Sequence, residues 1–168
     1  STQRFTGSIG KSEFPAGQAF QLLFESGSNV GLPQNEWLME YVLTRQDGFR
    51  AHNQSTGIRL TVDGQYHHVA MTYDGASVVL YVDGVAKGTF PFSGLLLQVP
   101  NVPFVVSAGQ VPLSIDGVAV YRRDLTPAEV LLSAARGGAP RCIECAAAFD
   151  GLVSLWGADG LTEGVLFD

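Results

Sequence analysis

Charge and sulfur are scarce in this chain. Of 168 residues only 15 % are charged, Lys and Arg together number 10, and there are two Cys and two Met. The few cations form no cluster that could neutralise a row of phosphates, and the formal net charge of −6 opposes a polyanion, so nucleic acid is excluded as a partner. An acidic surface of this kind suits neutral ligands or cations. No apolar run approaches the roughly 20 residues a membrane helix needs, the longest candidate being Leu95-Leu96-Leu97, which excludes insertion by a helix. No signal-peptide pattern opens at Ser1, so secretion is not read directly from the sequence.

What is abundant is apolar surface and turns. Hydrophobic residues make up 46 % of the chain, there are 20 Gly, and Asp-Gly occurs seven times. A chain of this length supports one well-cored domain, and frequent tight turns predict a sandwich of many short strands. Residues 63–90 show the pattern best: Asp63-Gly64, Asp74-Gly75 and Asp83-Gly84 separate alternating segments, the strongest short-range hairpin signal. The expectation is a three-strand antiparallel meander. Val69, Met71 and Tyr73 share one face of its first strand, and Val78, Leu80 and Val82 one face of its second, because side chains alternate. Neither strand has a wholly polar face, as expected of a covered sheet.

Two segments carry a family resemblance. The run Gln65-Tyr66-His67-His68-Val69-Ala70-Met71-Thr72-Tyr73-Asp74-Gly75, followed by Leu80-Tyr81-Val82-Asp83-Gly84, resembles the central signature of laminin-G-like domains in the concanavalin A-like lectin/glucanase superfamily, with Tyr66 where the family has Trp. The run from Ile115 to Val130, with Tyr121, Arg123, Leu125, Ala128 and Glu129 in order, is similar to the family's closing strand and helix, with Gly117 in place of its Glu. The resemblance implies an all-β fold, a concanavalin A-like jelly-roll β-sandwich of two antiparallel sheets with one short helix. It also implies a non-catalytic glycan-binding module of an extracellular or cell-surface protein. A structural or adhesive spacer that binds protein is the alternative, and a polysaccharide-cleaving enzyme the least supported.

Elsewhere the turn residues delimit strands at Ala19–Phe24, Trp37–Leu43, Phe49–His52, Gly57–Val62 and 104–109. Thr126-Pro127-Ala128-Glu129 is a helix start: a capping Thr, a Pro in the first turn, and a Glu that completes a capping box. Gly137-Gly138 and Pro140 stop the helix, which is expected over 126–136. Residues 1–140 thus form the sandwich, and 141–168 a tail. Its Gly151-Leu152-Val153-Ser154-Leu155-Trp156 looks like a first strand of the same family, so the tail either completes this sandwich, is swapped into a neighbour, or opens a following tandem repeat.

Candidate chemistry is sparse. The family's glucanases resemble one another in a Glu-x-Asp-x-x-Glu run on one strand, which supplies two closely spaced carboxyls for hydrolysis; this chain has none, and no catalytic residue is expected. His67 and His68 are adjacent, hence on opposite faces of a strand, and cannot easily share an ion; His68 matches a structural His of the family. Cys142-Ile143-Glu144-Cys145 lacks the strand-helix context of a redox motif and the second pair of a zinc site, leaving a local disulfide or two free thiols. The resemblance implies a structural Ca²⁺ held by turn carboxylates, with Asp116 the matched candidate and Asp63 and Asp74 as neighbours; the turn reading explains the same residues. Sugar binding uses aromatic stacking with planar polar donors, for which the candidates are Trp37, Tyr41, Phe49, Arg50, His52, Tyr66 and His67. Trp37, Tyr41 and Phe49 are equally readable as core.

Overall fold

A computed structural model describes residues 7–13, 17–26, 30–107, 114–136 and 150–156. Cys142 and Cys145 lie outside them, as does the stop signal at 137–140. The described residues are all-β apart from one helix longer than a single turn, and every strand pairing is antiparallel. They divide into two compact units.

The first unit holds the described residues up to Gln65 together with those from Ser93 to 107. Its six strands are β1 (Gly7–Glu13), β2 (Gly17–Ser26), β3 (Glu36–Thr44), β4 (Arg50–Asn53), β5 (Arg59–Thr61) and β9 (Phe104–Ser107). The order across the sheet is β4-β3-β2-β1-β9, with β5 also on β3. The register Leu22↔Tyr41, Phe24↔Met39 and Phe20↔Leu43 sets one apolar face. Leu22, Phe24, Met39, Tyr41 and Leu43 on it are all at most 6 % exposed, and each such side chain contributes about 2 kcal/mol of burial. Phe20 and Phe104 meet at its far side with ring centroids 6.3 Å apart.

The second unit holds Tyr66–Phe92 and the described residues from Ser114 on. Here β6 (Val69–Tyr73), β7 (Ser77–Val82) and β8 (Val85–Pro91) form the meander. Val69↔Val82, Met71↔Leu80 and Tyr73↔Val78 are opposite one another, which is the face assignment expected from the sequence. Val78 and Leu80 are fully buried, and Tyr81 on the reverse face is 3 % exposed, so neither face of β7 is polar. The β7–β8 turn is Asp83-Gly84 with φ 52° and 76°, the two positive values that a primed hairpin turn demands. β10 (Val118–Tyr121) pairs with β11 (Leu152–Trp156). The helix α1 (Pro127–Ala135) follows β10, and a Cβ on Gly84 would lie 2.9 Å from the Leu131 Cα, so only glycine admits this approach.

One expectation is corrected. Asp63-Gly64 does not join a hairpin, since β5 pairs with β3 and β6 with β7. The described strands form ladders of six, three and two. Turn chemistry specifies where a chain reverses and not which strand it then meets.

Candidate functional site

Residues on β3 that alternate with the apolar set carry the chemistry of the first unit. The pairings Leu23↔Glu40, Glu25↔Leu38, Val42↔His52 and Thr44↔Arg50 place Glu25, Glu40, Thr44, His52 and Arg50 on one face. The pairings Glu36↔Thr61 and Leu38↔Arg59 extend that face to Glu36 and Arg59. Glu25 and Glu40 are 0 % and 1 % exposed. Glu40 Oε2 lies 3.1 Å from His52 Nε2, and Arg59 Nη1 donates to Glu36 Oε2 at 3.0 Å. Burial pushes the His52 imidazole below its ordinary value; Arg50 adds to the shift and Glu25 opposes it. Arg50 itself is exposed.

At the β3–β4 hairpin, Arg45 Nε donates to Asp47 Oδ1 at 3.0 Å, and Asp47 Oδ1 also accepts the Phe49 N–H at 3.1 Å. These bonds, with Arg45 first, hold the Asp47 carboxyl below the usual range. The Arg45 guanidinium carbon sits 4.7 Å from the Phe49 ring centroid, a cation–π distance. Phe49 is 53 % exposed. The tip therefore presents an exposed aromatic ring held against the Arg45 guanidinium, out of phase with Arg50 and His52 along the strand.

The remaining candidates fall elsewhere. Trp37 and Tyr41 lie on the apolar face, opposite to Arg50 and His52, and Tyr41 is 3 % exposed, which fits its reading as core. Tyr66 and His67 belong to the second unit. Tyr66 is 73 % exposed, and His67 Nδ1 is 2.8 Å from Asp83 Oδ2. Asp83 Oδ1 accepts the His68 N–H at 3.0 Å, so this carboxylate braces the chain entering β6. Asp63 Oδ1 accepts the Gln65 N–H, and Asp74 Oδ1 accepts the N–H groups of Ala76 and Ser77, which hold the Asp74 carboxyl below its usual value. Asp116 is exposed. Asp63 belongs to the first unit and Asp74 and Asp116 to the second, and among the described residues no three His, Cys, Asp or Glu side chains are grouped to hold a metal ion.

Glu25 and Glu40 escape a reading of the sequence because each is a lone Glu inside an apolar run, Leu22-Leu23-Phe24-Glu25 and Trp37-Leu38-Met39-Glu40. The usable signal was their alternation phase: both are out of step with the aromatic set. A cavity in the same unit, lined by Lys11, Phe20, Leu96 and Val99 among others, measures about 170 Å³, below the roughly 300 Å³ at which ligand pockets begin.

A laminin-G-like sequence model described as the concanavalin A-like lectin/glucanases superfamily matches residues 12–131. No curated protein matches the chain.

Proposed function

Because the chain belongs to the concanavalin A-like lectin/glucanase superfamily, whose fold is the all-β jelly-roll sandwich, we propose that it is a non-catalytic carbohydrate-binding module of an extracellular or cell-surface protein. The observation that carries this is the β3–β4 hairpin, where the exposed Phe49 ring is held against the Arg45 guanidinium. A sugar ring lays its apolar face on such a platform, while guanidinium N–H groups of Arg45 donate to its hydroxyls. The Asp47 and Arg45 bonds fix the platform in advance, which lowers the ordering cost of a weak contact. Hydrolysis needs two carboxyls at the scissile bond, and Glu25 and Glu40 are shut off from solvent. The ligand is a neutral polysaccharide or glycan, consistent with the net charge of −6, and no contact is routed through Ca²⁺.

Retention on a panel of immobilised neutral polysaccharides, with calcium and with a chelator, tests the reading. Selective retention that survives the chelator and weakens about tenfold in Phe49→Ala is expected, a loss typical of one stacked aromatic. No retention on any glycan, or retention indifferent to both Phe49→Ala and Arg45→Ala, overturns it. That blank result is what the second reading, a spacer or adhesive module that binds protein, predicts.

A further inference from the structure

β11 lies beyond the span that the family model matches, which ends at residue 131. It is nevertheless built onto β10 in register, with Val118↔Trp156, Ala119↔Leu155, Val120↔Ser154 and Tyr121↔Leu152 opposed. The shift between Val120 and Tyr121 leaves Val153 as the bulged residue, 55 % exposed. Just ahead of the strand, the Arg122 N–H donates to the Gly151 carbonyl at 3.0 Å, and Arg123 Nε donates to the Asp150 carbonyl at 2.7 Å.

Arg123 is aimed by groups that do not belong to β11. Its Nη1 and Nη2 donate to the two oxygens of Glu129 at 2.9 and 2.5 Å, and Nη1 also reaches the Asp124 carbonyl. Glu129 Oε2 in turn accepts the Thr126 N–H at 2.8 Å, the second half of the helix capping box. The guanidinium is therefore a fixed socket that reads a main-chain carbonyl. The residue after that carbonyl must be glycine: Gly151 has φ 83°, and a Cβ there would lie 3.1 Å from Arg123 Cγ.

We propose that the β10 edge and the Arg123 socket form a strand-acceptor site, filled by Asp150–Trp156 of the same chain and able to take the same segment from a second copy instead. The contacts are main-chain pairings and one guanidinium-to-carbonyl bond, the currency of strand addition, and they are identical whichever copy supplies the strand. Choice between the two is then one of concentration. A tethered strand competes at an effective concentration on the order of millimolar, so the intramolecular form prevails in dilute solution and exchange sets in near that value.

The test is mixed cross-linking of full-length chains with Cys142→Ser and Cys145→Ser as background. One chain carries Val120→Cys, the other Ser154→Cys, and the two are refolded together and oxidised. Disulfide-linked heterodimer should be minor at about 10 µM and approach half of the material at about 1 mM. Adding Gly151→Val to the Ser154→Cys chain should lower its yield about tenfold, since a β-branched residue at positive φ is strongly disfavoured. A single chain carrying both cysteines should cross-link internally when dilute. Failure of that internal link shows the β10–β11 register to be wrong. Absence of heterodimer at about 1 mM while the internal link forms, or a yield unaffected by Gly151→Val, overturns the exchange. Neither outcome depends on glycan retention, so this proposal and the carbohydrate reading fail separately.

Discussion

In the second unit, Asp74 and Glu129 are satisfied close to where they stand in the chain. Asp74 receives the N–H groups of Ala76 and Ser77, and Glu129 those of Thr126 and the guanidinium of Arg123. In the first unit, Glu25 and Glu40 are buried on a sheet face, and the partner seen for Glu40 is His52, on a different strand. These two pairs of carboxyl groups thus serve different ends. Local carboxylates fix turns and a helix start, whereas the carboxyl groups of Glu25 and Glu40 place polar atoms inside a sheet at the expense of desolvation. The first kind is stable wherever its short segment forms. The second exists only once three strands are in register.

Four measurements sharpen that contrast, beginning with the largest effect. Gly84→Val drives a Cβ into the Leu131 backbone at a residue with φ 76°, and should cost about 3 kcal/mol or more in urea unfolding, from steric overlap plus a forbidden conformation. A cost under about 1 kcal/mol would mean that α1 does not rest on the β7–β8 turn.

Next, a double-mutant cycle on Glu40→Gln and His52→Asn should return a coupling of about 1 to 3 kcal/mol, because the bond is shielded from water. Additive single effects would break the idea that this face is held by a cross-strand pair.

The third measurement separates the units by pH. The folded-state pKa of His52 is depressed from 6.5, so the unfolded chain takes up the proton first, and the stability contributed by neutral His52 is full above 6.5 and declines as pH falls below it. Glu129 is lowered from 4.5 to about 2, first by its bond to Arg123. Its contribution is full above 4.5 and is lost as pH falls toward 2. Hydrogen exchange on acidification should therefore loosen β4 before the start of α1, and His52→Asn should remove the earlier phase. Simultaneous loosening of both would refute the separation.

The smallest effect is expected at the rim. Arg59 and Glu36 form an ion pair whose Arg side chain is 53 % exposed, and Arg59→Ala should change stability by less than about 0.5 kcal/mol. A larger loss would show that the rim, and not only the buried floor, holds the polar face together.

The same contrast explains what could be read in advance. Thr126, Pro127 and Glu129 announced α1 because a cap is a contact over three residues, and the capping box forms as expected. Asp74-Gly75 and Asp83-Gly84 announced the meander, and its faces follow from alternation alone. The sugar candidates were harder. Arg50 and His52 are two apart in sequence and share one face of β4, whereas Phe49 is out of phase with them. Trp37 and Tyr41 were grouped with them on residue type, yet the β3–β4 register turns both to the opposite face. A shift of one residue would have reversed this, and nothing local to β3 sets that choice.

By itself the sequence determined an all-β chain, its turns, its helix start and its superfamily, since each of these rests on contacts within a few residues or on a contiguous pattern. Only the tertiary structure decided that Glu25 and Glu40 share a buried face, that Asp63-Gly64 joins no hairpin, and that β11 docks on β10 through Arg123. These depend on which strands meet and in what register. That choice is made by burial summed over whole sheets, a quantity that no short segment contains.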